Sequence, residues 1–341
     1  MNGRFRAALA GEATATPPIW FMRQAGRYHA HYQRLRQRHG FMQLCKDPQL
    51  AAEVARGPVE DFGFDVAILF SDLLFPLEAL GMPLDYDEGP PRLGWRLDEH
   101  SVAALRPWEE ALPALEFQRE ALRLTRAGLP ASTSLVGFVG GPWTLMGYAV
   151  EGSHRGGLPA TQALAPRIGA RVLDTLLPLL EANIRLQLEG GAEVVLVLDT
   201  AAGVLDAAGQ ARWVLPALAR LAAAFPGRLG YYARDASEAW WDALREARLP
   251  LAGIGFDAGV SLERALERRE AGFVQGNFDQ QHLALPEHEF RAHLDTFVGR
   301  MAARGVQGRR GWVCGLGHGC VPQVREAHVR TFVSTVREVL R

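Results

Sequence analysis

The sequence predicts an α/β fold: a closed (β/α)8, or TIM, barrel of eight parallel strands surrounded by helices. Short apolar runs alternate with longer helical segments, and eight such runs can be counted. The runs are apolar at consecutive positions, which is typical of strands covered on both faces. A doubly wound open sheet is the alternative. No GxGxxG motif opens a helix after any run, which disfavours dinucleotide binding.

The eight predicted strands lie at 19–22, 66–70, 135–139, 194–198, 229–232, 253–256, 272–275 and 311–314. Between them, apolar residues recur at helical spacing, as at Leu173, Leu176, Leu177, Leu180, Ile184 and Leu188. The stretch 74–133 is too long for one crossover. It predicts an extra segment after the second strand, with a surface part rich in Pro and Gly at 83–92 and a helix at 108–127. No linker divides the chain, so we expect one domain over residues 1–341.

Composition and charge limit the possible partners. The chain of 341 residues is 48% hydrophobic and 22% charged, as in ordinary globular proteins, and its formal net charge is -1. We therefore expect no general attraction to nucleic acid or to an anionic membrane. The longest aliphatic run, 194–198, is too short to span a bilayer, and 1–18 has no apolar run of signal-peptide length. Three cysteines indicate a reducing compartment, and the expected location is the cytoplasm.

The residue types disfavour two kinds of catalytic group. Lys46 is the only lysine, and it lies in a polar turn rather than a dry pocket that would lower its pKa, so a lysine imine is disfavoured. Cys314, His318 and Cys320 are close in sequence, but their spacing fits no usual zinc pattern. We therefore expect neither a lysine imine nor a metal site.

Chemistry in a barrel belongs at the carboxyl ends of the strands, and two arginines follow the first predicted strand. Arg23 and Arg27 flank Gly26 there. Guanidinium groups bind carboxylates with two hydrogen bonds, so this pair predicts a fork for anionic substrate groups. On a helix the two side chains would share one face. The alternative is a pair of surface arginines in an arginine-rich chain.

Other polar side chains converge on the same predicted rim. Asp72 follows the second strand, where it either stabilises a positive charge or caps the next helix. Tyr148 lies on a helix opened by a proline and either donates to a ligand or packs in the core. Thr200 follows the fourth strand and either contacts a ligand or caps a turn. His318 lies between glycines that allow close approach of a ligand, or it is satisfied by the backbone.

Five sequence blocks together resemble the uroporphyrinogen decarboxylase family. They are WFMRQAGRY at 20–28, FSD at 70–72, GFVGGPWTL at 137–145, QGN at 275–277 and GLGHG at 315–319. The blocks occur in the family's order, and the resemblance runs from about residue 5 to the C-terminus. Thr200 stands where the family usually has serine, which retains the hydroxyl group.

The resemblance implies a homodimeric (β/α)8 barrel that removes the carboxyl groups from the four acetate side chains of uroporphyrinogen III, without cofactor or metal. The product is coproporphyrinogen III on the heme pathway. Arg23 and Arg27 are implied to grip carboxylates, and Asp72 to accept the central pyrrole N–H groups. These three are the expected catalytic residues. The expected substrate-binding residues are Arg23, Gln24, Ala25, Gly26, Arg27, Asp72, Tyr148, Thr200 and His318.

Three other functions fit parts of the sequence. A corrinoid- or zinc-dependent methyltransferase of a related barrel group needs a thiolate–imidazole zinc site. A non-catalytic tetrapyrrole carrier would bind the same ligand without decarboxylating it. A phosphate-binding barrel would use glycine-rich loops after its last strands, which 315–319 partly matches, but it leaves the block at 23–27 unexplained.

Overall fold

The computed structural model describes residues 1–86 and 90–341. In the described chain the strands are β1 (Val66–Ile68), β2 (Leu84–Asp85), β3 (Arg92–Leu93), β4 (Ser134–Gly140), β5 (Val194–Leu198), β6 (Leu229–Tyr232), β7 (Gly253–Gly255), β8 (Phe273–Phe278) and β9 (Trp312–Leu316). The first half of the chain contributes helices α1 (Gly3–Leu9), α2 (Ala30–Arg36), α3 (Phe41–Lys46), α4 (Pro48–Phe62), α5 (Phe75–Ala79), α6 (Trp108–Ala111), α7 (Glu116–Gly128) and α8 (Pro142–Glu151). The second half contributes α9 (Pro159–Glu189), α10 (Ala207–Gly209), α11 (Leu215–Ala224), α12 (Glu238–Glu246), α13 (Leu262–Glu267), α14 (Glu287–Ala303) and α15 (Glu326–Val339).

The strands form a curled parallel sheet in the order β1-β4-β5-β6-β7-β8-β9, as the barrel prediction requires. Each pairs with its neighbour in parallel register, for example Val136 with Val194 and Val274 with Trp312. Helices intervene between successive strands, so both faces of the sheet are covered and every residue of β5 and β6 is buried. The α/β barrel class predicted from the sequence is confirmed.

The first predicted strand is reduced to a single bridge, so the prediction of a full strand at 19–22 was wrong. Ile19 pairs in parallel with Cys314 of β9, and its carbonyl accepts the N–H of Asp65 just before β1 at 2.9 Å. The N–H of Trp20 donates to the Cys314 carbonyl at 3.2 Å, whereas the N–H of Ile19 donates to Asp65 Oδ2 at 2.9 Å and that of Phe21 to Gln24 Oε1 at 3.1 Å. The segment therefore joins the two ends of the sheet without extending a ladder.

The segment between β1 and β4 contains more than one crossover helix. It includes α5, the antiparallel pair β2–β3, and two helices at its end. The predicted continuous helix at 108–127 was wrong, because α6 gives way to a 3₁₀ turn at Leu112–Leu115 before α7 begins. Pro113 lies in that turn and lacks the N–H that a helix interior needs. The predicted Pro- and Gly-rich stretch 83–92 includes 87–89, which lie outside the described residues.

Helix boundaries follow local capping chemistry. Asp47 caps α4, its Oδ1 accepting from Gln49 N at 2.9 Å and Leu50 N at 3.1 Å, with Pro48 in the first turn. The long helix α9 buries Leu176, Leu180 and Ile184, all on the face predicted from the sequence. In the described part of the chain, no helix combines the length and apolar character that crossing a bilayer demands.

Candidate active site

A cavity of about 180 Å³, called the inner cavity below, opens where the carboxyl ends of the strands meet. Its walls are formed by Met22, Arg23, Ala25, Ile68, Leu69, Phe70, Ser71, Asp72, Leu73, Leu74, Tyr86, Pro91, Phe138, Tyr148, Leu198, Thr200 and His318. A second cavity of about 340 Å³, called the outer cavity, shares Arg23, Asp72 and Tyr86 with the inner cavity and adds Gly26 and Arg27. The structure thus brings all but one of the sequence-predicted site residues together in two adjoining cavities. The exception is Gln24.

Arg23 and Arg27 lie on a loop, so the helix on which they would share one face is not formed here. The chain leaves the barrel wall at Arg23 with φ 57, a left-handed conformation that interrupts regular structure, and α2 does not begin until Ala30. Both arginine side chains are exposed. Arg23 lines both cavities and Arg27 lines the outer one, so the two guanidinium groups are spread along the opening.

Gln24 supports this loop from below. Its side chain is fully buried and lines neither cavity. Its amide accepts from Phe21 N at 3.1 Å and donates to the carbonyl of Val66 in β1 at 3.1 Å. Its oxygen and nitrogen therefore fix the loop that carries Arg23 to the barrel, and direct contact with a ligand stays a prediction.

Asp72 fixes a turn and lines the site, and its stabilisation of a positive charge stays a prediction. Its Oδ1 accepts the N–H of Leu74 at 2.9 Å, which fixes the turn that leads into α5. The half-buried carboxylate also lines both cavities and accepts a hydrogen bond from the Tyr86 hydroxyl. Burial raises the pKa of Asp72, while the bonds from Tyr86 and Leu74 and the charge of Arg23 act in the opposite direction. The site thus presents a recessed anion next to an exposed cation.

His318 is held by the aromatic residue at the end of β6. The Tyr232 hydroxyl lies 2.9 Å from the carbonyl of Gly317 and 3.0 Å from His318 Nδ1, and the two rings stack with an interplanar angle of 17°. The carbonyl can only accept, so the phenol donates to it and a neutral His318 donates from Nδ1 to the phenol oxygen. Burial and the charges of Arg23 and Arg234 lower the pKa of His318 to about 3. The uncharged ring therefore presents Nε2 as an acceptor.

The glycines around His318 make room for protein atoms, and close approach of a ligand to them stays a prediction. A Cβ on Gly319 would lie 2.5 Å from Arg23 Cδ, and one on Gly315 would lie 2.4 Å from the carbonyl oxygen of Trp20. These glycines let the 315–319 loop pack directly on the loop that carries Arg23.

Thr200 follows a buried carboxylate that orders the mouth of the barrel. Asp199 Oδ1 accepts the N–H of Thr144 at 2.8 Å and its hydroxyl at 2.7 Å. Burial raises the pKa of Asp199 to about 6. A Cβ on Gly141 would lie 2.1 Å from the Asp199 Cβ, so the 137–145 block admits this carboxylate only with glycine there. Thr200 itself is half-buried and lines the inner cavity.

Sequence reasoning missed several groups at the site. Arg234 lies just beyond the end of β6, after Ala233, and its charge lowers the pKa of both His318 and His154. Its place at a strand end is the same signal that singled out Asp72. Tyr86 and His154 come from loops outside every quoted motif, so no comparable signal marks them.

The cysteines do not form the zinc site that the methyltransferase alternative needs. Cys314 is fully buried in β9, and burial raises the pKa of its thiol. Burial also raises the pKa of Cys320 to about 12. Within residues 1–86 and 90–341, no group of three or more His, Cys, Asp or Glu side chains is placed to hold a metal ion.

The fold and the site define a TIM-barrel protein with a mouth pocket suited to an anionic ligand. The uroporphyrinogen decarboxylase (URO-D) family model matches residues 1–339, and the chain belongs to this family. A uroporphyrinogen decarboxylase of Syntrophotalea carbinolica is 36% identical to it, over 98% of this chain and 97% of the relative. Those of Thermus thermophilus and a Synechococcus species are 34% and 35% identical, each over 99% of this chain and 98% of the relative.

The fold likeness extends to more distant barrels. A solved methyltransferase from Methanosarcina mazei superimposes with a TM-score of 0.76 at 17% sequence identity, covering 99% of this chain and 98% of that chain. At this level of identity the match shows the shared fold alone.

Proposed function

We propose that this protein decarboxylates the four acetate side chains of uroporphyrinogen III to give coproporphyrinogen III in heme biosynthesis. Family membership and the names of relatives at 33–36% identity support the reaction. The observation that carries the proposal is the recessed carboxylate of Asp72 facing the Arg23 side of one cavity, since the substrate offers central N–H donors and peripheral carboxylates.

Each decarboxylation needs an electron sink, which the substrate's own pyrrole ring supplies. Protonation of a ring carbon gives a cationic ring. The bond between the acetate methylene and its carboxylate then breaks, carbon dioxide leaves, and the electron pair forms a double bond to the ring, which neutralises the cation. Protonation of the exocyclic carbon gives the methyl group, and loss of the ring proton restores the pyrrole. The net step consumes one proton for each carbon dioxide released.

Asp72 stabilises the cationic ring in this scheme. A fixed anion next to a developing positive charge lowers the barrier most effectively where water is restricted. Asp72 lies in the inner cavity and is bonded by Tyr86 and by the Leu74 N–H, so it is already oriented before the ring becomes charged. The same carboxylate accepts the pyrrole N–H groups when the substrate binds.

Arginines hold the peripheral carboxylates. Arg23 borders both cavities, Arg27 and Arg36 border the outer one, and Arg234 acts electrostatically on His318. A guanidinium forms short, charge-assisted hydrogen bonds with carboxylates. The reacting acetate loses its charge as carbon dioxide, whereas the carboxylates held by arginines keep theirs and anchor the macrocycle.

The finer statements on assembly and location belong to the same proposal. We propose a homodimer in the cytoplasm, with the two barrel mouths facing each other. Val204, near the end of β5, is one of the few large apolar side chains exposed in the described chain, at 45%. All three cysteines are free, which fits a reducing compartment. Light scattering of the purified protein at several concentrations tests the dimer.

The direct test is anaerobic incubation of the purified protein with uroporphyrinogen III, followed by oxidation and chromatography of the porphyrins by carboxyl number. The proposal predicts conversion of the eight-carboxyl compound to the four-carboxyl product. Bound but unchanged uroporphyrinogen would identify a carrier instead. Metal analysis of the same preparation tests the zinc-dependent alternative, which requires stoichiometric zinc.

A further inference from the structure

Tyr148 is paired with a histidine that no sequence motif marked. The Tyr148 hydroxyl lies 2.6 Å from Nδ1 of His154, and the ring centroids are 5.3 Å apart at an interplanar angle of 40°. Tyr148 lines the inner cavity on α8, and half-buried His154 lies in the loop that joins α8 to α9. The pair joins a wall of the cavity to a loop outside it.

The fold holds this loop in place at both ends. Gly152, with φ 74, donates its N–H to the carbonyl of Tyr148 at 2.8 Å and turns the chain back. Glu151 Oε1 accepts from Thr161 N at 2.8 Å and from its hydroxyl at 2.9 Å. Leu158 is fully buried and so close to Gly147 that a Cβ there would lie 2.5 Å from Leu158 Cδ1. The loop between these anchors therefore returns His154 to Tyr148.

The surroundings set the protonation states of the two partners. Burial and the nearby Asp72 carboxylate raise the pKa of Tyr148 to about 12, so the phenol keeps its proton at neutral pH. Burial and the charges of Arg23, Arg155 and Arg234 lower the pKa of His154, so its ring is neutral. In the Nε2–H tautomer of the neutral ring, the phenol is the donor and Nδ1 the acceptor.

We propose that His154 is a positioning residue whose Nδ1 accepts the hydrogen bond from the Tyr148 hydroxyl, so that the phenol oxygen faces the substrate as a hydrogen-bond acceptor. The chemistry that an acceptor recognises next to Asp72 is a pyrrole N–H, not a carboxylate. Tyr148 and Asp72 then bind the centre of the macrocycle, and the arginines bind its edge. The identity of the substrate in this inference rests on the proposed function.

Two substitutions distinguish the effect of the acceptor atom from the effect of the packed ring. His154→Asn keeps an acceptor near the place of Nδ1, whereas His154→Phe keeps a packed ring and removes the acceptor. Loss of one neutral hydrogen bond predicts a fall in kcat/KM of about 3- to 10-fold for His154→Phe. We expect His154→Asn to restore kcat/KM to within about twofold of the wild type. His288→Phe, a change at a side chain 83% exposed, is the control and should have no effect.

A double-mutant cycle tests whether His154 acts through Tyr148. If it does, His154→Phe should change kcat/KM by less than about twofold in a Tyr148→Phe background, because the phenol is already gone. Equal losses in both backgrounds would assign His154 a merely structural role and overturn the inference.

Nitrogen-15 NMR of the full chain, without substrate, gives a readout independent of catalysis. The inference predicts a neutral His154 with a hydrogen-bonded, unprotonated Nδ1, and a shift of that nitrogen in Tyr148→Phe. An unshifted resonance in Tyr148→Phe would overturn the pairing even in an active enzyme. A shifted resonance in a protein that leaves uroporphyrinogen unchanged would support the pairing while refuting the proposed function.

Discussion

Gly319 leaves the space through which the Arg23 side chain reaches the barrel mouth. A Cβ at Gly319 would lie 2.5 Å from Arg23 Cδ and 2.8 Å from its Cγ. The two residues belong to sequence blocks at opposite ends of the chain, and they meet because Ile19 pairs with Cys314. The glycine therefore determines where a cation is placed next to Asp72.

This contact predicts the effect of Gly319→Ala. The added methyl group displaces the Arg23 side chain. We therefore expect KM for uroporphyrinogen to rise about 10-fold, which is the effect of losing one charge-assisted hydrogen bond. Steady-state kinetics measure it. Gly299→Ala is the control, since nothing lies within 4 Å of a Cβ at that position in α14. A wild-type KM for Gly319→Ala would show that the position of Arg23 is unimportant.

The arginines at the opening should act mainly on binding. Arg23→Gln and Arg27→Gln each remove a charge that grips a carboxylate, so we expect KM to rise about 10- to 100-fold. The effect should shrink at high salt, because both side chains are exposed. Arg171→Gln, an exposed arginine on the outside of α9, serves as the control. Equal KM values for all three variants would contradict the arginine assignment.

Tyr232→Phe tests how His318 is held. The substitution removes the hydroxyl that bonds the Gly317 carbonyl and His318 Nδ1 and keeps the buried ring. We expect the free energy of unfolding to fall by about 1 kcal/mol and kcat/KM to fall several-fold, because His318 loses its partner. Urea unfolding and kinetics measure the two effects. A loss of stability with unchanged kcat/KM would show that the orientation of His318 does not matter to the reaction.

Acid stability should report the low pKa of His318. Its pKa is about 3 in the folded protein against 6.5 when unperturbed, so the unfolded chain binds the extra proton between these values. His318 therefore makes the protein less stable as pH falls from 6.5 towards 3. Between pH 7 and pH 5, we expect the Tm of the wild type, measured by circular dichroism, to fall more than the Tm of His318→Asn. A constant difference in Tm, or one equal to that of exposed His288→Asn, would contradict the shift.

Sequence periodicity located the barrel strands closely, because strands buried on both faces consist of consecutive apolar residues. The predicted runs at 194–198 and 229–232 coincide with β5 and β6. The run at 19–22 has the same composition, yet the N–H groups of Ile19 and Phe21 bond to the side chains of Asp65 and Gln24. A choice between backbone and side-chain acceptors depends on residues distant in sequence, so hydropathy does not reveal it.

The site was predicted best where it lies at strand ends. Asp72, Thr200 and His318 lie shortly after the ends of strands, and the curled sheet brings them to one cavity. His154 reaches Tyr148 only because the loop between α8 and α9 folds back on left-handed residues and a buried Leu158. Such a return depends on tertiary packing, and nothing in the local sequence predicts it.

The most direct test of the central claim is the turnover of Asp72→Asn with uroporphyrinogen under anaerobic conditions. Asparagine keeps the shape and the acceptor for the Leu74 N–H but removes the charge that stabilises the cationic ring. We predict that kcat falls about 100-fold or more while the protein stays folded and still binds the substrate. A kcat close to the wild-type value would contradict the account.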